Sequence, residues 1–144
     1  MNLEGSQILA AWPEEVWLAL FDRDVLAQAI PGCESLKQTG ETSFSAVVKL
    51  KIGPVSARFK GDVELSDIVL GKSCTLSGKG SGGIAGFAKG AARVTLTPDR
   101  DLTVLNYTAA LGNRLIKSTA QKLTDEFFAN FNSALADDEE ATVA

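Results

Sequence analysis

The sequence predicts an α+β fold: a curved antiparallel sheet wrapped around one long C-terminal helix, with two short helices after the first strand. Three observations lead there. Apolar and polar residues alternate through most of residues 44–109, as in strands with one buried and one wet face. Two short stretches before residue 32 carry helix-boundary chemistry instead. From Asn113 onward the apolar spacing changes from the strand period to the helical one. A sheet and a helix with one apolar side each bury both by packing together.

Residues 1–10 read as the first strand. Trp12-Pro13-Glu14-Glu15 opens a helix, because proline suits the first helical position and the two acids meet the positive end of the helix dipole. Val16, Trp17 and Leu20 share one side of it. Asp22 or Asp24 caps a second helix, Val25 to Ala29, which Pro31-Gly32 stops. Phe44, Ala46, Val48, Leu50 and Ile52 then fall at every second place, and Gly53-Pro54 breaks the run. Val55, Ala57, Phe59, Gly61, Val63 and Leu65 alternate with Ser56, Arg58, Lys60, Asp62 and Glu64, which makes a hairpin. Cys74, Leu76 and Gly78 mark another strand, and Ala88, Gly90, Ala92, Val94 and Leu96 the next. Asp99-Arg100-Asp101 turns into a last strand, Leu102 to Ala109. Ile116, Ala120, Leu123, Phe127, Phe131 and Ala134 line one side of the final helix. One domain, residues 1–136, is expected, followed by an acidic, disordered tail, 137–144.

Composition removes several classes of function. The 144 residues, 45% hydrophobic, suffice for one domain with a substantial core. No run of about 18 apolar residues is available to span a membrane. The start lacks the basic and apolar regions of a signal peptide, so a cytoplasmic protein is expected. Histidine is absent, which excludes an imidazole base and a His-ligated metal. Two cysteines, Cys33 and Cys74, cannot alone build a thiolate zinc site, and they read as small core residues. The net charge of -4 argues against a nucleic-acid partner. The carboxylates are scattered, and Glu14, Glu15, Asp22 and Asp24 read as helix-end residues. No catalytic residue, metal ligand or cofactor is therefore assigned.

The glycine-rich stretch from Gly78 to Gly90 contains a literal GxGxxG at Gly78, Gly80 and Gly83. A strand follows it rather than the helix that a dinucleotide site needs, so it reads as a bent hairpin. Its small inward residues raise a different question. With Gly61, Gly78, Ala88, Gly90 and Ala92 facing the helix, the interior either closes tightly or keeps a cavity suited to an apolar ligand. Tyr107, the single tyrosine, either satisfies a buried backbone group or orients such a ligand. On the wet face, Lys49 and Lys51 neighbour Arg58 and Lys60. These four form a solvated face or a docking patch for an acidic partner or anionic lipid heads.

Pro31-Gly32-Cys33-Glu34-Ser35-Leu36, Gly86-Phe87-Ala88-Lys89-Gly90-Ala91-Ala92, and Arg114-Leu115-Ile116 followed by Phe127-Phe128 together resemble the CoxG family of carbon monoxide dehydrogenase subunits, over about residues 1–135. The resemblance implies the START-like (SRPBCC) helix-grip fold, with a groove between sheet and final helix. It also implies a non-catalytic accessory role beside a molybdenum hydroxylase of the carbon monoxide dehydrogenase type, coupling that enzyme to membrane respiration through peripheral contact at the inner face of the cytoplasmic membrane. A lipophilic, quinone-like ligand would occupy the groove; the alternative is a pure adaptor or assembly factor without a ligand. The candidate lining is Phe44, Val48, Leu50, Phe59, Val63, Leu76, Val94, Leu105, Tyr107, Ile116, Ala120, Leu123 and Phe127. Two departures from the family stand out. Ala109-Ala110-Leu111-Gly112-Asn113 is a short connection to the final helix, and residues 137–144 lack the apolar extension of membrane-attached relatives.

Overall fold

The computed structural model describes residues 2–52, 54–82, 86–112 and 117–143. Its elements are β1 (Asn2–Leu9), α1 (Pro13–Leu20), α2 (Arg23–Ala29), β2 (Cys33–Gly40), β3 (Ser43–Ile52), β4 (Val55–Val69), β5 (Ser73–Gly82), β6 (Gly86–Asp99), β7 (Leu102–Leu111) and α3 (Lys117–Val143). The strands form a seven-stranded sheet in the order β1-β7-β6-β5-β4-β3-β2, and each neighbouring pair is antiparallel. This is the α+β layering that the alternation predicts.

Local chemistry sets the helix boundaries. α1 starts at Pro13, with Glu14 and Glu15 in its first turn. For α2 the cap is Asp22: its Oδ1 accepts from the Asp24 N–H at 2.9 Å and the Val25 N–H at 3.4 Å. The β3–β4 register puts Lys49 opposite Arg58, as the break at Gly53-Pro54 requires; Gly53 itself lies outside the described residues.

Two features differ from the sequence reading. β2 is a strand that alternation does not reveal. It is the sheet edge opposite β1, and of its eight residues only Leu36 is buried. An edge strand that meets the core at one point needs no run of alternating apolar residues. β7 runs on to Leu111, because Ala110 and Leu111 pair with Ala91 and Gly90 of β6. α3 is helical backbone from Lys117 to Val143.

α3 packs most closely on α2 and also meets β1, and its Phe128 reaches Tyr107 of β7. Polar groups hold it there. The Ala10 N–H donates to Asn132 Oδ1 at 2.8 Å, and Asn130 Nδ2 donates to the Ala29 carbonyl at 3.2 Å. Beneath them the buried Thr103 hydroxyl donates to the Ala11 carbonyl at 2.7 Å. A buried polar group is tolerated when it is bonded in this way. Around these bonds Leu9, Val16 and Phe131 are withdrawn from solvent, and they fill this end of the sheet–helix interface.

Candidate functional site: an apolar chamber with a vestibule

Strand pairing sorts the concave face of the sheet into rows. One row reads Phe44, Val63, Gly78, Gly90, Leu111. The next reads Leu65, Leu76, Ala92, Ala109, Leu3. A third reads Cys74, Val94, Tyr107, Gly5. Large residues stand at the ends of the first two rows, and glycine or alanine stands in the middle. Opposite the small residues, a chamber of about 440 Å³ remains between the sheet and the helices. Its far wall consists of Leu20 and Phe21 at the end of α1, Leu26 and Ile30 at α2, and Leu123, Thr124, Phe127 and Phe128 of α3.

Aromatic rings brace that wall. Phe127 meets Phe128 edge-on at 5.1 Å between centroids, and Tyr107 stacks on Phe128 at 5.8 Å. Tyr107 reaches this position across its partner Gly5. A Cβ at Gly5 would stand 2.7 Å from the tyrosine hydroxyl, so a side chain there would force the ring to move.

The chamber offers little to a polar ligand. Among the described residues, no charged side chain lines it. Thr124 directs its hydroxyl to the Ala120 carbonyl at 2.8 Å. The Cys74 thiol has its pKa pushed up, chiefly by burial and against the pull of Arg93, so it stays neutral.

At the row of Phe44, Val63 and Leu111 the chamber meets a wider vestibule of about 940 Å³. The rest of the vestibule includes Thr39, Ser43, Gly78, Gly90 and Gly112. Asp62, Glu64, Lys79 and Lys89 also border it. They alternate with the concave-face residues, so their side chains lead to the convex face, and the glycines beside them leave their backbone open to the cavity.

Phe44, Val63, Leu76, Val94, Leu105, Tyr107, Leu123 and Phe127 of the expected lining stand around the chamber. Val48, Leu50 and Phe59 do not: they occupy rungs nearer the β3–β4 hairpin, outside the lining. Ala120 packs against the core but is not part of the wall. Ile116 lies outside the described residues, as does Gly83 of the glycine-rich stretch. The contributions of α1 and α2 were not legible, since helices of eight and seven residues show too few turns to reveal a lining side.

On the convex face Lys49, Lys51, Arg58 and Lys60 are all exposed. β2 changes their balance. Arg58 Nε donates to Glu34 Oε1 at 2.7 Å and Arg58 Nη2 to Glu34 Oε2 at 3.4 Å. The hydrogen bond from Arg58 holds the Glu34 carboxyl below its ordinary range. Lys79 and Lys89 face each other farther along the same face, with Asp62 paired to Lys79 between them and Lys60. Among the described residues, no cluster of three or more metal-ligating side chains occurs, and no helix is long and apolar enough to cross a membrane.

Comparison with solved structures finds the same architecture elsewhere. A conserved protein from Geobacillus kaustophilus is 30% identical, with a TM-score of 0.87 over 95% of this chain and 96% of that one. A protein from Chromobacterium violaceum, 14% identical, has a TM-score of 0.73 over 92% and 95%. The Zhui aromatase/cyclase from Streptomyces, 16% identical, has a TM-score of 0.64 over 100% and 96%. The last two likenesses establish the helix-grip fold alone. No curated protein matches the chain. The family model for CoxG, a carbon monoxide dehydrogenase subunit, matches residues 5–136. That span carries β2 to β7, most of β1, both short helices and, apart from Leu3, the whole described chamber wall. The chain therefore belongs to the CoxG family.

Proposed function

We propose that this protein is a non-catalytic accessory protein that holds a lipophilic, quinone-like molecule in the chamber. In this reading it helps couple a molybdenum hydroxylase of the carbon monoxide dehydrogenase type to the respiratory chain, at the inner face of the cytoplasmic membrane. The observation that carries it is the chamber itself: about 440 Å³ of apolar, uncharged space inside the fold. Family membership and the helix-grip fold support a ligand-binding accessory role.

Desolvation supplies the affinity. Each buried CH₂ contributes about 0.8 kcal/mol, so an eight-carbon apolar stretch contributes roughly 6 kcal/mol before ordering costs. Phe44, Val63, Leu76, Val94, Leu105, Tyr107, Leu123 and Phe127 form the binding set, joined by Phe21 and Phe128. The fold also serves an aromatase/cyclase, but acid–base chemistry needs a titratable group against the substrate. Among the described residues, Tyr107 and the neutral Cys74 are the only candidates lining the chamber, which supports carriage over conversion.

Docking is assigned to the convex face, through Lys49, Lys51 and Lys60, with Arg58 held in reserve by Glu34. Attraction of an acidic surface there would steer encounter with the hydroxylase. Organic extraction and native mass spectrometry of the purified protein test the carrier. A co-purifying lipophile at one per chain is expected. A protein that stays bare and takes up no lipophile would leave only the adaptor role. Lys49→Glu with Lys60→Glu is expected to weaken binding to the hydroxylase, and unchanged binding would remove the docking assignment.

A further inference from the structure

This inference rests on the carrier reading and specifies its ligand. We infer that the ligand is a single-chain amphiphile bound apolar end first, its tail against Phe21, Phe127 and Phe128 and its compact polar group in the vestibule, toward solvent.

The two cavities differ in the way this requires. The inner chamber has no charged group among its described wall residues, the Thr124 hydroxyl is already directed at Ala120, and the Cys74 thiol is buried. A polar head placed there would lose its water and find one hydroxyl at most, that of Tyr107, which stands over Gly5 at the edge of the wall. The vestibule is more than twice as large and open to solvent at its rim. Thr39 and Ser43 border it with hydroxyls 3.0 Å apart, but Ser43 shares its rung with Glu64 and its side chain leads to the convex face, so a head group in the vestibule meets water at the rim and the open backbone beside Gly78 and Gly90. The chamber and vestibule share only Phe44, Val63 and Leu111 among the described residues, so a ligand spanning both crosses a collar of three apolar side chains. A chamber of about 440 Å³ lies toward the small end of ligand sites and suits one chain rather than two.

The protein carries its own reporter. Trp17 packs against Phe21 at 5.0 Å between centroids, and Phe21 lines the chamber but not the vestibule. The second tryptophan, Trp12, is exposed and can be removed as Trp12→Phe. The Trp12→Phe protein is titrated with decanoate brominated either at its ω-carbon or at its α-carbon, and native mass spectrometry counts the bound molecules. Both probes should bind one per chain. The ω-bromo probe should quench about half of the Trp17 emission and the α-bromo probe almost none. Equal quenching, or stronger quenching by the α-bromo probe, would overturn the orientation and leave the carrier reading standing. Binding without quenching by either would overturn the tail's placement in the chamber. If neither decanoate binds while a neutral ring lipophile does, the amphiphile class is wrong and the carrier survives. If no lipophile binds, both fall.

Discussion

The two ends of the sheet–helix interface are built from the same sheet and the same helix, yet one is solid and the other hollow. Where β1 meets α1 and the second half of α3, Leu9, Val16, Thr103 and Phe131 are sealed from solvent, and the buried side-chain polar atoms among the described residues are matched. Where β4 to β7 face the first half of α3, the inward residues include Gly78, Gly90, Ala92 and Ala109, and the chamber and its vestibule remain. Backbone geometry does not separate the two ends, since the sheet runs through both. Side-chain size along the rows does. Natural interiors are close-packed, so unfilled volume at one end only is a property this sequence maintains.

Substitutions can break that comparison. Phe131→Ala removes a fully buried ring from the solid end and is expected to cost about 3–5 kcal/mol in urea unfolding. A loss below about 1 kcal/mol would show that this end is not solid. Gly5→Ala puts a methyl 2.7 Å from the Tyr107 hydroxyl, and the displaced ring should cost about 1–3 kcal/mol. Ala92→Leu adds more carbon than Gly5→Ala but faces the chamber. Its stability should therefore stay within about 1 kcal/mol of wild type, below the usual overpacking cost. A larger penalty at Ala92 than at Gly5 would reverse the comparison. The smallest effect is expected from Glu34→Gln. Arg58 lowers the Glu34 pKa, so whatever stability the pair contributes is present above the ordinary carboxylate range and is lost as pH falls through the lowered value. For an exposed pair the thermal midpoint should scarcely move, while freeing Arg58 should tighten docking to an acidic surface.

Much of this was legible in the sequence, and the misses have physical causes. Alternation identifies which face a residue takes, and that sufficed for β3 to β7 and for the Lys49–Arg58 rung. It carries no information on how far along a strand the hollow extends. Val48, Leu50 and Phe59 therefore share the inward parity of Phe44 and Val63 but fall outside the chamber. β2 was hidden because an edge strand with a single buried residue has no pattern to show. The Gly5–Tyr107 contact was hidden because it depends on pairing between the first and last strands. The small residues of β5 and β6 did signal space, but a helix from elsewhere in the chain decides whether space is filled. Here α3 packs most closely on α2 and β1, and the space over Ala92 and Ala109 stays open.

Titration with the neutral lipophile N-phenylnaphthylamine, followed by its fluorescence, tests the hollow most directly when wild type is compared with the double variant Ala92→Leu, Ala109→Leu. Saturable one-to-one uptake by wild type and at least about tenfold weaker uptake by the folded double variant is the predicted result, a change of about 1.4 kcal/mol. Equal uptake by both proteins, or none by wild type, would contradict a ligand chamber at this place in the fold.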